Sequence, residues 1–150
     1  MMRFIHGTLD SQARLELPGG LAKDWIDPED ERCVVEARPP GCLFITSLRK
    51  WAEMEELEVE DAEARIASPW EHGLEPPGLP AIWLAKLSRV NRKGPGAKRI
   101  TLPTIAIWAL LEQGQGPKAP KGNRTGVVVL MGTDAQGLYV WSDSGRGWMQ

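Results

Sequence analysis

The chain has 150 residues, 42% of them hydrophobic, and a formal net charge of −2 at pH 7. This length fits one domain, or two very small ones that share a core, and seven tryptophans exclude a wholly disordered chain. The small net charge excludes a uniformly basic protein, but it averages an acidic segment at residues 53–63 with a basic one at residues 86–99.

The first part of the chain predicts a strand, a short helix, a strand, a turn and a strand. Alternation in Arg14-Leu15-Glu16-Leu17 places both leucines on one face of a strand. Pro18 ends this strand, because proline cannot donate to a ladder. The elements expected next are helix-compatible residues as far as Trp25, a strand at 33–37, a turn at 39–41 and a strand at 42–45.

A helical linker is predicted in the middle of the chain. Ser47 is a suitable N-cap for a helix that begins near Leu48. Its apolar stripe repeats every three residues, while the glutamates face water. The stripe consists of Leu48, Trp51, Met54 and Leu57. A proline-rich break at residues 75–80 separates this helix from a second short helix expected at Ala81–Arg89.

The last part of the chain repeats the pattern of the first. Arg99-Ile100-Thr101-Leu102-Pro103 matches Arg14–Pro18 as Arg, apolar, polar, Leu, Pro. The features that follow also recur in the same order: a helix-compatible segment with Trp108, a strand at 127–131, a turn at 134–137 and a strand at 138–141. Residues 114–124 form an insertion that we expect to be a surface loop.

One such unit is too small to bury a core alone, so two copies are expected to interdigitate and close one small barrel. The fold class is therefore α+β, mainly β, with short helices. The predicted division is residues 1–46, a helical linker at 47–88, and residues 89–150. Trp25, Trp108 and Trp141 are expected in the core, and Trp70 and Trp83 at an interface.

The composition offers no recognisable catalytic or metal site. Cys33 and Cys42 are the only cysteines and have no histidine at ligand spacing, so we expect small buried residues within strands. His6 and His72 have no nucleophile partner, and no phosphate-binding loop is present. We therefore expect no enzyme, no cofactor and no small-molecule substrate. Without a signal peptide or a long apolar run, a soluble cytoplasmic protein is expected.

Several motifs resemble the MraZ family of transcriptional regulators. Residues 6–18 are similar to the start of these proteins, including the Asp-x-x-x-Arg signature at Asp10 and Arg14. The strand Gly41–Ile45 with the helix containing Trp51–Glu55 is also similar. The segments Arg99–Pro103 and 129–142 resemble the second half of the family pattern. Pro95 stands where the second signature has Asp, so Arg99 is expected to lack a supporting carboxylate.

The resemblance implies a duplicated AbrB/SpoVT-type fold, in which two swapped-hairpin half-barrels form one barrel. It also implies a ring of subunits that binds repeated DNA elements and usually represses division and cell-wall genes. The partners expected are therefore double-stranded DNA and further copies of the chain, at the nucleoid and not at a membrane. In the family, the Asp-x-x-x-Arg segments lie on one face and contact DNA.

The expected DNA-binding residues fall into two groups. Asp10 orients Arg14, whose guanidinium fork suits guanine edges or phosphates. Spacing alone favours a turn ion pair with no ligand, and it is the resemblance that favours DNA. The second group lies in the basic loop expected at Arg92–Arg99, which can neutralise phosphates. A solvated loop without function is nearly as plausible. The residues expected to contact DNA are Arg3, Asp10, Arg14, Arg92, Lys93, Lys98 and Arg99.

Two alternative functions keep this fold. An AbrB-like antitoxin would bind DNA as a dimer and carry a tail that wraps a toxin. A degenerate second half would serve assembly without reading DNA. The oligomeric state discriminates between these hypotheses, because a dimer favours the antitoxin and a ring favours the MraZ-like regulator.

Overall fold

The structure, a computed structural model, describes residues 3–10, 12–18, 20–21, 23–38, 41–67, 82–89, 98–102 and 127–142. Within these residues, eight strands close an antiparallel barrel and two helices lie outside it. The strands are β1 (Arg3–Leu9), β2 (Arg14–Leu17), β3 (Arg32–Arg38), β4 (Cys42–Ser47), β5 (Ile82–Arg89), β6 (Lys98–Thr101), β7 (Val127–Thr133) and β8 (Leu138–Ser142). The helices are α1 (Leu48–Met54) and α2 (Val59–Ala67). The mainly-β class is confirmed.

The barrel is built from four hairpins that alternate between the two halves of the chain. Its strand order is β1-β2-β6-β5-β3-β4-β8-β7, and β7 pairs with β1 to close it. Hairpin β1–β2 joins hairpin β5–β6, and hairpin β3–β4 joins hairpin β7–β8. Exchanging β1–β4 with β5–β8 leaves this order unchanged. Both halves therefore contribute to a single closed barrel.

The pairing of β2 with β6 lies at the centre of this symmetry. Leu15 pairs with Ile100, while Arg14 pairs with Thr101 and Glu16 pairs with Arg99. Because Arg14 and Arg99 begin the equivalent segments in the two halves, an approximate two-fold axis passes through the Leu15–Ile100 pair. The two outer pairs are therefore equivalent to each other.

The barrel core is formed by the alternate residues of the strands that point inward. Leu15, Ile100 and Met131 are buried there, together with Trp25 from the segment between β2 and β3. On Gly7 of β1, a Cβ would lie 2.6 Å from Cε of Met131. The absence of a side chain at Gly7 therefore gives Met131 its place in the core.

A second apolar cluster lies between the helices and the outer side of β3 and β5. Leu48 and Trp51 are buried against Val34, and Leu57 packs at the edge of this cluster. The Ser47 side chain accepts a hydrogen bond of 3.1 Å from the Lys50 backbone N–H, which confirms the predicted N-cap. The predicted single helix is wrong beyond Met54, because α1 ends there, Met54 is 39% exposed, and Leu57 lies in the segment between α1 and α2.

The predicted helix at Ala81–Arg89 is wrong, because residues 82–89 form strand β5. On β5, Leu87 lies in the barrel core, whereas Ile82 and Leu84 pack against the helix cluster. A strand covered on both faces has a nearly continuous apolar sequence, which resembles that of a buried helix. The predicted boundary between residues 88 and 89 consequently falls within β5.

Two further elements differ from expectation. Residues 23–25 form turns where a short helix was predicted, although Trp25 is buried as expected. Strand β1 was not predicted, and it pairs with β7 over its whole length, Arg3–Leu9. Its sequence shows no simple alternation, since Phe4 and Ile5 are both exposed.

Two tryptophans lie in surroundings that differ from expectation. Trp83 was expected at an interface, but it is partly buried and packs on the barrel core. Trp141 was expected in the core, but it lies partly exposed with Tyr139 and Phe4 beside it. Trp70, Trp108 and the loop at 114–124 lie outside the described residues. None of the described helices is long and apolar enough to cross a membrane.

Candidate functional site

The turn between β1 and β2 is organised by the carboxylate of Asp10. Its Oδ1 accepts hydrogen bonds from the backbone N–H groups of Gln12 (2.8 Å) and Arg14 (2.9 Å). Its Oδ2 accepts a hydrogen bond from Arg14 Nε at 2.8 Å. The same carboxylate therefore closes the turn and fixes the guanidinium, which confirms the predicted Asp10–Arg14 ion pair.

Ala13 completes this turn in an unfavourable backbone conformation. Its φ is 65°, in the left-handed region that costs an L-residue about 1–2 kcal/mol. The Ala13 carbonyl accepts a hydrogen bond of 2.8 Å from the Leu102 N–H, beyond the end of β6. This bond connects the turn of the first half to the second half, and backbone strain of this kind often marks functional segments.

The electrostatics of the turn keep Asp10 ionised. Partial burial of Asp10 acts to raise its pKa, but hydrogen bonds from Arg14 and Gln12, with the charge of Arg14, outweigh this and lower the pKa. The Arg14 side chain remains 36% exposed. Within the described part of the chain, its guanidinium has no other hydrogen-bond partner, so its two terminal nitrogens can donate to a ligand.

Arg99 has a carboxylate partner from the other half of the chain. Its Nη2 donates to Glu16 Oε1 at 3.0 Å, across the paired strands β2 and β6. The expectation that Arg99 lacks a supporting carboxylate is therefore wrong. Pro95 stands where a local carboxylate partner was expected. The actual partner, Glu16, lies 83 residues earlier in the sequence, and only the strand register reveals it.

These side chains share one outer surface of the barrel. Leu15 and Ile100 point into the core, so their neighbours along β2 and β6 point outward. Asp10 lies in the adjoining turn. We define the β2–β6 face by Asp10, Arg14, Glu16, Arg99 and Thr101. Sequence reasoning found three of these residues and missed Glu16 and Thr101.

The other predicted site residues do not join this surface. Lys98 is half-buried and pairs with Leu17, so it alternates to the opposite side of β6 from Arg99. Arg3 begins β1 opposite Thr133, about 20 Å along the strand from Leu9, and its side chain lies outside the described part. Arg92 and Lys93 also lie outside the described residues, so their place relative to the face stays a prediction.

Other ion pairs of the barrel connect structural elements instead. Arg49 of α1 pairs at 2.8 Å with Asp27, whose side chain is only 7% exposed. Arg32 pairs with Asp30 beside it and with Glu63 of α2. These pairs tie the helices to the barrel, whereas the pairs of the β2–β6 face have no helix over them among the described elements.

Both cysteines are buried and form no disulfide. Burial raises the pKa of Cys33 to about 12 and that of Cys42 to about 11, so neither supplies a thiolate at neutral pH. In the described ranges, no group of three or more His, Cys, Asp or Glu side chains could hold a metal ion.

No protein-family model matches the chain, and a search of curated proteins also finds no match. The geometry of the β2–β6 face is therefore what points to a ligand. It offers paired guanidinium groups on a two-stranded antiparallel segment, at equivalent positions of the two halves.

Proposed function

We propose that the chain is a sequence-specific DNA-binding regulator of the MraZ type, and that the β2–β6 face contacts the DNA. The observation that carries this proposal is Arg14, which Asp10 holds through Nε and whose terminal nitrogens make no hydrogen bond to the described residues. A guanidinium fork held in this way matches the O6 and N7 acceptors of guanine in the major groove.

The dimensions of the face support a contact in the major groove. That groove admits a two-stranded β-ribbon, and the β2–β6 pair is a short antiparallel ribbon in the barrel wall. Arg14 and Arg99 are diagonal neighbours in its register, so their Cα atoms are about 7–8 Å apart. This separation spans about two base-pair steps of roughly 3.4 Å, and one chain can therefore address two nearby bases.

The charge of the face favours base contacts over phosphate contacts. Each arginine is paired with a carboxylate, Asp10 or Glu16, so the cluster is almost neutral. Phosphate binding needs an excess of positive charge, whereas a neutral pair with directed N–H groups can still discriminate between bases. In this proposal the phosphates are neutralised by the basic segment that includes Arg92 and Lys93, whereas Lys98 and Arg3 lie away from the β2–β6 face.

The strand order supports the finer assignment of the fold. A duplicated AbrB/SpoVT-type unit, with swapped hairpins from two half-barrels, would give an order that does not change when the halves are exchanged. Such a protein would act at the nucleoid in the cytoplasm. With the MraZ resemblance, the proposed role is repression of division and cell-wall genes.

The outer side of β1 and β7 supports self-association. Phe4 is 58% and Val128 is 48% exposed on this side, next to the aromatic side chains of Trp141 and Tyr139. Exposed apolar surface of this kind commonly marks a protein contact. We propose that it contributes to a ring of subunits, in which several weak DNA contacts add up on repeated elements.

Selection from a pool of random-sequence DNA duplexes tests the proposed function without knowledge of the site. We expect the protein to enrich one short element that contains guanine at positions read by arginine. Failure to enrich any element, with the protein still folded and oligomeric, would contradict DNA reading. That outcome would favour the alternative of an assembly module.

A further inference from the structure

The two arginines of the β2–β6 face are held in different ways. Arg14 takes its carboxylate from its own turn, four residues earlier, whereas Arg99 takes it from the opposite strand. The two positions are equivalent about the axis through Leu15 and Ile100. Both arginines therefore lie beside a carboxylate on the outer surface. In one case the carboxylate comes from the same turn, and in the other it comes from the opposite strand.

Among the described residues, Glu16 supplies the hydrogen-bond acceptor of the Arg99 guanidinium. The Arg99 Nε is buried and has no hydrogen-bond partner among the described residues, so the bond from Nη2 to Glu16 is the one that fixes the guanidinium there. Both side chains are partly exposed, at 32% and 40%. Direct cross-strand pairing also fixes the backbone distance between them.

We infer that Glu16 is a positioning residue for DNA recognition, which holds Arg99 for a base contact as Asp10 holds Arg14. This inference rests on the proposed function. It assigns DNA reading to both halves of the chain, even though Pro95 stands in place of the second signature aspartate. The first half then supplies the carboxylate that the second half lacks.

A positioning role for Glu16 predicts different effects of its replacement on non-specific and on sequence-specific DNA binding. A carboxylate near DNA repels phosphate, so replacement of Glu16 by the neutral Gln should not weaken binding to an arbitrary duplex. Loss of a held arginine, in contrast, weakens binding only to the correct sequence. The ratio of the two dissociation constants, shuffled over selected duplex, therefore separates positioning from simple charge.

The test is fluorescence anisotropy with the full-length chain, using a duplex recovered by selection and a base-shuffled duplex of equal length. For Glu16→Gln we expect the ratio to fall by about tenfold, the order of magnitude for a lost base contact. Binding to the shuffled duplex should be unchanged or tighter, and the thermal midpoint should remain close to that of the wild type.

Glu36→Gln is the matched control, because Glu36 pairs at 2.7 Å with Arg38 on another outer part of the barrel. This control should leave the ratio unchanged. A second variant, Arg99→Ala, should lower the ratio, and addition of Glu16→Gln to it should have no further effect. An equal effect of Glu16→Gln in both backgrounds would show that Glu16 does not act through Arg99.

The outcomes separate this inference from the proposed function. A wild-type protein that binds both duplexes equally would overturn the proposed function, and the positioning role with it. A wild-type preference that Glu16→Gln leaves intact would overturn the positioning role alone.

Discussion

Asp10 uses both oxygens of its carboxylate at the turn between β1 and β2. One oxygen accepts two backbone N–H groups and the other accepts Arg14 Nε, so the turn and the arginine are ordered together. A side chain used in this way loses little further freedom when it binds a ligand. Order in the free protein is therefore part of the proposed recognition.

Replacement of Arg14 by Lys tests whether the fork geometry matters. Lysine keeps the positive charge but cannot make the bond from Nε to Asp10 and also present a planar pair of donors. We expect discrimination between selected and shuffled duplexes to fall by about 5- to 100-fold, with little change in the salt dependence. Arg38→Lys, which alters another strand arginine paired with a glutamate, is the control. Equal losses in both variants would refute a specific role for Arg14.

The ionised state of Asp10 should make stability depend on pH in the acid range. Its pKa is lowered in the folded chain, so its contribution is fully present above the unfolded-state pKa, near 3.9. The contribution is lost as the pH falls through the folded-state pKa. We expect the thermal midpoint to decrease below about pH 4, and to decrease less steeply in Asp10→Asn.

Some acid sensitivity should remain in Asp10→Asn. Hydrogen bonds from Arg32 lower the pKa of Asp30 in the same direction, so Asp30 loses its contribution in the same pH range. Identical pH profiles for the wild type and Asp10→Asn would contradict the role given to Asp10.

At the residue scale, local pairs were predictable and distant pairs were not. The spacing of Asp10 and Arg14 is enough to predict their ion pair, because the two residues are close in sequence at the two ends of one short turn. The pair of Glu16 and Arg99 depends on the register of strands 83 residues apart. A single sequence does not specify that register, so Glu16 was missed.

At the scale of elements, the β7–β8 hairpin shows how a turn is fixed within the barrel. Asp134 Oδ1 accepts hydrogen bonds from the backbone N–H groups of Gln136 and Gly137. Thr46 Oγ1 of β4 donates to the Gln136 carbonyl at 2.7 Å. The turn is therefore held both by its own aspartate and by the neighbouring strand.

Gly137 should not tolerate a side chain in this hairpin. A Cβ at this position would lie 2.6 Å from the backbone oxygen of Ile45 and equally close to the Phe44 ring. Gly137→Ala should therefore lower the free energy of unfolding by about 1–3 kcal/mol, measured by urea denaturation. Gln136→Ala, at the exposed neighbouring position, should change it by less than about 0.5 kcal/mol. An unchanged midpoint for Gly137→Ala would contradict this packing.

A strand with clear alternation was predictable from the sequence, whereas β5 was not. β2 alternates clearly, since Leu15 and Leu17 are buried between half-buried polar residues. β5 has apolar residues toward both the core and the helices, so alternation gave no signal and a helix was predicted. Burial by a second layer is a tertiary property, which local patterns do not contain.

At the scale of the whole molecule, the two halves are joined by direct strand pairing and not by a linker alone. β2 pairs with β6, and β4 pairs with β8. The separation of Arg14 and Arg99 is consequently set by the register of one strand pair. A rigid pair of donors on one closed barrel is suited to reading bases at a fixed spacing.

The central claim is that the β2–β6 face reads DNA sequence, and binding measured against salt tests it most directly. Fluorescence anisotropy would compare DNA from upstream of the protein's own operon with a scrambled duplex of equal length, across a salt series. We predict tighter, cooperative binding to the native fragment, with a preference that persists as salt increases. Equal and weak binding to both duplexes, fading together with salt, would contradict the claim.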